Sequence, residues 1–155
     1  MHKKRISFWH HAFKALVLFL CGGLMYAAIE LLWRGHTHWT MAIIGGLCFL
    51  LVGGINNILP CSIPLLLQAF LGGLIVTLVE FASGLMLNVW LGLELWDYSG
   101  MPGNFLGQIC PQFTLAWCGL SFVAIIADDY LRHWLFKEPR PHYHLLKFGG
   151  DSDAE

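Results

Sequence analysis

The chain has 155 residues, room for one domain and too few for two. It is 57% apolar and only 12% charged, where a soluble domain carries roughly 25% charged residues. A soluble fold of this size keeps too large a surface to hide so much apolar side chain, so lipid is the solvent that fits. The formal net charge of −1 gives no reason to expect nucleic acid as a partner, and the few basic residues sit in short terminal clusters.

In chain order, residues 1–11 form a short basic segment with Lys3, Lys4 and Arg5. The apolar run 12–33 follows. A basic start before an apolar run resembles a signal peptide, but Glu30-Leu31-Leu32-Trp33 comes next instead of a small-residue cleavage site. The segment is therefore expected to be retained. A hydrocarbon layer about 30 Å thick needs about 20 mostly apolar helical residues. Stretches 12–33, 40–59, 63–91 and 113–135 meet that need. Pro60 and Pro64 bracket a short turn between the second and third, as in an antiparallel hairpin. Backbone groups in lipid must be paired within each span. The reading is an all-α, polytopic membrane protein, with a four-helix transmembrane bundle over residues 12–137. An outer loop covers 92–112, and a cytoplasmic tail, 138–155, has a disordered acidic end.

Orientation follows the positive charges. Lys3, Lys4, Arg5 and Lys14 precede or enter the first span, and Arg132, Lys137, Arg140 and Lys147 end or follow the fourth. Only Arg34 lies elsewhere. An even number of spans puts both termini on one side, and the excess of Lys and Arg makes that side cytoplasmic. Trp33, Trp39, Trp90 and Trp96 then mark the outer interface, with Trp9 and Trp134 at the inner one.

Gly22-Gly23-Leu24 with Glu30 recurs 50 positions later as Gly72-Gly73-Leu74 with Glu80. Two repeated helical hairpins, related by an axis along the membrane normal, account for this. Chance recurrence among 17 glycines accounts for it equally well. Each Gly pair permits close helix approach.

Carboxylates inside spans are costly and face the bundle interior or water. Glu80 is surrounded by apolar neighbours and is the first candidate for a binding group. Glu30 has Arg34 four residues on, the spacing of a helical ion pair. Asn56, Asn57, Gln68 and Asn88 suit helix-to-helix hydrogen bonds. Asp128 and Asp129 beside Arg132 read as a charge cluster at the inner interface, and His142 and His144 as solvated. His36 and His38 would bind metal only if a carboxylate converged on them, and a polar loop is the simpler reading, so no metal is expected. Cys21, Cys48, Cys61, Cys110 and Cys118 form no CxxC pair and behave as small apolar residues. Without a nucleophile motif, phosphate loop or nucleotide fingerprint, neither a catalytic residue nor a cofactor is expected.

The outer loop runs Leu95-Trp96-Asp97-Tyr98-Ser99-Gly100-Met101-Pro102-Gly103-Asn104 and on to Gln108 and Pro111. Its length and aromatic content suit a cap over the bundle. Asp97, Asn104 and Gln108 would share an outer vestibule with Glu30 and Glu80. Here a family resemblance enters. Trp96-Asp97-Tyr98-Ser99, then Asn104, Gly107 and Ile109-Cys110, resembles the membrane proteins catalogued as ABC-transporter type IV permeases, the CmpB-like group. Gly22 to Gly46, with Glu30, Trp33-Arg34-Gly35 and His38-Trp39, is similar to the first half of that group. Gln108 stands where many relatives carry Arg. The resemblance implies a transport subunit in a bacterial plasma membrane, working with an ATPase subunit or as a homo-oligomer. On that reading Glu30, Arg34, Glu80, Asp97, Asn104 and Gln108 bind a small solute or ion. A scaffold, sensor or regulatory protein is the first alternative, and a metal-dependent interfacial enzyme the second.

Overall fold

The computed structural model describes residues 2–55, 63–139, 143 and 145, with side chains from residue 8 onward. The readings made at Asn56, Asn57, Pro60, Cys61, His142, His144 and the acidic end lie outside the described residues. Within them the protein is all-helical, with a single isolated bridge between Phe105 and Ile109 and no strand.

Helix α1 spans His2–Arg34 and, at 33 residues, is about 50 Å long. It therefore continues through the basic segment that the sequence set apart from the first span. Gly35, at φ 73°, ends it, with the Gly35 amide bonded to the Leu31 carbonyl. This is the usual left-handed stop. Helix α2 spans Trp39–Gly53, and the His38 imidazole accepts from the Thr40 amide at its start. Helix α3, Leu65–Gly84, begins after Pro64 and continues without a break into a π-helical segment, Leu85–Trp90. Helix α4 spans Pro111–Phe136, with Pro111 at a position where a missing N–H costs nothing. Lys137, in the left-handed conformation, closes it.

Three helical stretches, Phe8–Arg34, Leu65–Trp90 and Pro111–Phe136, are long and apolar enough to cross a membrane, and α2 is a shorter apolar helix. Helix α1 packs mainly on α2 and α3 mainly on α4, while α2 also touches both α3 and α4. The glycine pairs explain the tight contacts. A Cβ at Gly22 or Gly23 would run into Phe49 or the Ala42 carbonyl of α2. One at Gly72 or Gly73 would run into Ser121 or Cys118 of α4. Without a hydrophobic drive between helices in lipid, such close backbone approach is the main source of packing energy. Where α2, α3 and α4 meet, Val52, Leu65 and Ile125 form the core, and Tyr143 packs against its edge.

Leu32, Trp33, Leu78 and Leu24 lie bare on the outside of the bundle. In lipid this is the expected solvent-facing surface. Trp33, Trp39 and Trp90 are exposed near one end and Trp9 and Trp134 near the other, as an aromatic belt requires. Trp96 differs from the belt that the sequence suggested. It is buried, its indole N–H donates to the Gln108 carbonyl at 3.1 Å, and it forms the core of the loop.

Candidate functional site

The π-helical segment and the loop after it build the end of the bundle opposite the chain termini. A π-turn inserts an extra residue and rotates the side chains that follow. Asn88, at its centre, sends its amide to the Trp96 carbonyl and the Gln108 Oε1, each at 3.0 Å. Its oxygen accepts from the Leu95 amide at 2.8 Å. The sequence reading had Asn88 joining helix to helix. It instead fastens the loop to α3. Gln108 completes the fastening, buried, with its amide on the Leu106 carbonyl.

Asp97 and Asn104 spend their side-chain hydrogen bonds on the loop itself. Asp97 accepts from the Ser99 amide and hydroxyl. These bonds hold its carboxyl below the ordinary aspartate range, with the Ser99 hydroxyl the larger influence. Asn104 donates to the Ser99 and Met101 carbonyls and accepts from the Gly107 amide. The structure thus places Asp97, Asn104 and Gln108 as braces of the cap.

Beneath the cap lies Glu80, on α3 and buried. The Tyr98 hydroxyl donates to its Oε1 and the Trp117 indole N–H to its Oε2, both at 2.8 Å. Tyr98 comes from the loop and Trp117 from α4, so one carboxylate ties together three parts of the chain. Phe113 stacks on Tyr98 with ring centres 4.5 Å apart and holds it in place. Burial, then the negative charge of Glu80, pushes the Tyr98 phenol well above its ordinary value. Tyr26 of α1 lies over Trp117 at 6.2 Å and within electrostatic reach of both Glu80 and Glu30. Composition gave no sign that Tyr98 and Trp117 would supply the donors. Both are common interface residues, and only the loop's fold brings them inward.

Glu30 is also buried. Arg34 donates to its Oε1 at 2.9 Å, the pairing that the i, i+4 spacing anticipates, and Thr37 donates to its Oε2. The other Arg34 nitrogen reaches the Leu95 carbonyl of the cap at 2.7 Å. An open cleft of about 270 Å³ lies here, lined by Glu30, Arg34, His36, Thr37, His38 and Glu94 among others. His36 and His38 turn one ring nitrogen each to Arg34 O and Thr40 Oγ1. No metal-ligating cluster of three exists among the described residues. The structure therefore brings Glu30 and Arg34 together at a cleft, sets Glu80 separately under the cap against Tyr98 and Trp117, and uses the other three predicted residues to build that cap.

The signature of the family described as "Putative ABC-transporter type IV" matches residues 17–145. The chain belongs to that family. With its apolar helices, membership makes the protein a multi-pass membrane protein of transporter type. The matched span takes in all of the cap and the buried carboxylates Glu30, Glu80 and Asp128. No curated protein and no solved structure matches the chain.

Proposed function

We propose that the protein is a transport-related membrane subunit that takes a small solute or ion at the capped end of the bundle. The observation that carries this is the pairing of an open cleft at Glu30 and Arg34 with a second buried carboxylate, Glu80, directly under the cap. Carboxylates at membrane depth are costly and are kept for binding or transfer. Arg34 joins Glu30 to the cap through the Leu95 carbonyl, so a ligand that competes for Arg34 would loosen the cap. Asp97, Asn104 and Gln108 shape that response by bracing the loop. Membership in a transporter family favours transport over catalysis.

On this reading the capped end faces outward and both termini are cytoplasmic, because the basic residues lie toward the termini. The two glycine-pair contacts support a repeated hairpin, since each lies between the first and second helix of its own pair. The partner is an ATPase subunit or a second copy of the chain. Crosslinking in the native membrane, mild solubilisation and identification of the co-purifying chains test the assignment. A stoichiometric ATP-hydrolysing subunit is the expected result, and a lone homo-oligomer would remove the support for the permease role.

One observation favours a second reading. Each oxygen of Glu80 already has a donor, which is how a structural brace in a scaffold protein would be built. Glu80→Gln separates the two: loss of transport by a folded protein supports the solute site, whereas loss of stability or partner binding alone supports the scaffold.

A further inference from the structure

The contacts between α3 and α4 fix how far each helix reaches toward the cap. Thr114 bonds Thr77, Cys118 lies against Gly73, and Ser121 lies against Gly72. Continued in that register, Pro111 at the start of α4 is level with Glu80 on α3. Helix α3 and its π-segment run on to Trp90, about 15 Å further. Helix α1 ends at the height of that segment, because Arg34 donates to the Leu95 carbonyl and Asn88 accepts from the Leu95 amide. The exposed Trp33, Trp39 and Trp90 set the membrane boundary there. Helix α4 therefore begins inside a hydrocarbon layer about 30 Å thick, short of where its neighbours end.

The loop fills the notch that this leaves. Trp96 lies against Gly84, Tyr98 reaches Glu80, and the Phe105 ring packs on Phe81 with centres 5.4 Å apart. Phe81 directly follows Glu80, so Phe105 sits at the depth of the α4 start. Irregular backbone is tolerated at such depth only where its polar groups are paired within the protein. Every carbonyl from Phe105 to Ile109 has a donor. The Gln108 and Phe105 amides bond the carbonyls of Phe105 and Ile109, and the Tyr98 amide bonds that of Gly107. The Gln108 side chain and the Trp96 indole take the Leu106 and Gln108 carbonyls.

The side chains on this deep edge are apolar and bare: Phe105 is 56% and Leu106 64% exposed. Leu106 is also held at φ 53°, a conformation that a leucine rarely adopts. In water a bare leucine would offset none of that strain, whereas burial among acyl chains would. The opposite edge of the loop is polar, with Asp97, Ser99 and Gly100 exposed.

We propose that residues 92–110 form a re-entrant segment whose Phe105–Leu106 edge lies among the lipid acyl chains of the leaflet on the capped side, with the Asp97–Gly100 edge in water. The lipid-facing surface of α3 thus continues onto the cap through Phe81 and Phe105. It goes beyond the solute site, because it holds whatever the cleft takes.

The photoreactive residue p-benzoylphenylalanine, placed at Phe105, Leu106 or Gly100 of the full-length chain, tests it by irradiation of native membranes and mass spectrometry. Phospholipid adducts should form at Phe105 and Leu106 several-fold more than at Gly100, where an added side chain meets open space. Adducts to another protein at Phe105 and Leu106, or equal lipid yields at all three positions, would overturn the proposal. A charge provides the second measurement. Leu106→Asp should lower the thermal midpoint in lipid nanodiscs by several degrees, because a carboxylate is costly among acyl chains, and Gly100→Asp should leave it unchanged. Aspartate tolerates the left-handed conformation better than leucine, so at a water-facing Leu106 the same change would be neutral or stabilising. That result would also overturn the proposal.

Discussion

At Glu80 a buried carboxylate is balanced by two neutral donors and no cation among its hydrogen-bond partners. Hydrogen bonds to a charged acceptor contribute about 1.5–3 kcal/mol each. Tyr98→Phe should therefore lower stability by about 2 kcal/mol, read as a lower thermal midpoint in detergent. Glu80→Gln replaces one acceptor oxygen by an NH2 that faces a donor, so it should cost a similar amount. Because the two residues share one bond, the double variant should lose less than the sum of the singles. Strict additivity would show that the cap does not rest on Glu80. The Tyr98 phenol adds a pH test. Its value is raised in the fold, so its contribution is complete below the ordinary tyrosine value of about 10 and is lost only as pH climbs through the raised value. An alkaline absorbance titration should show ionisation well above that of a free tyrosine, and its amplitude should fall by one phenol in Tyr98→Phe, the Tyr143 phenol being raised as well. A phenol that ionises near its ordinary value would place Tyr98 in water.

Among the elements, the glycine pairs and the loop make separable claims. Gly73 is packed directly against Cys118, whereas Gly119 has nothing within 4 Å of an added Cβ. Gly73→Ala should destabilise the α3–α4 pair by about 1–3 kcal/mol through overpacking, and Gly119→Ala should be close to neutral. Equal thermal midpoints for the two variants would contradict the close crossing. Asn88→Ala removes three bonds that pin the loop to α3. The expected outcome is faster amide exchange over residues 92–110 with the helices unchanged, because stability is distributed locally and a loop opens before its scaffold. The apolar runs made the long helices legible, and the i, i+4 spacing gave the Glu30–Arg34 pair. The interior of the cap was not legible. Trp96, Tyr98 and Asn88 have the composition of an interfacial belt, and what turns them inward is a π-turn and two left-handed non-glycine residues, Glu94 and Leu106. None of these leaves a periodic trace in the sequence. Asp128 makes the ion pair with Arg132 that its place beside that residue suggested, but its complete burial was not legible, because it comes from the approach of Gly53 on α2.

For the whole molecule, the number of crossings turns on α2. Helices α1, α3 with its π-segment, and α4 each exceed the bilayer core in length. The described part of α2 has 15 residues, about 22 Å of helix. That falls short of a hydrocarbon layer of about 30 Å. Yet α2 is packed along α1, and its Gly53 sits against Asp128 of α4. Its apolar residues Ile43, Leu47 and Leu51 face outward, as they would on a lipid-facing crossing helix. Four crossings would put both termini on one side, and on the proposed reading the terminal excess of Lys and Arg makes that side cytoplasmic. Fluorescent-protein fusions at either terminus should then fluoresce, and alkaline phosphatase fusions at either terminus should be inactive. Opposite results at the two ends would mean three crossings, with α2 folded back into the bundle without traversing it. The Glu30 cleft and the Glu80 cap would then need reassignment to a side, although their contacts would stand. Three lysines added within residues 100–104 provide the complementary test. They would oppose the orientation set by the termini, and the fusion signals should weaken or mix if charge is what fixes it.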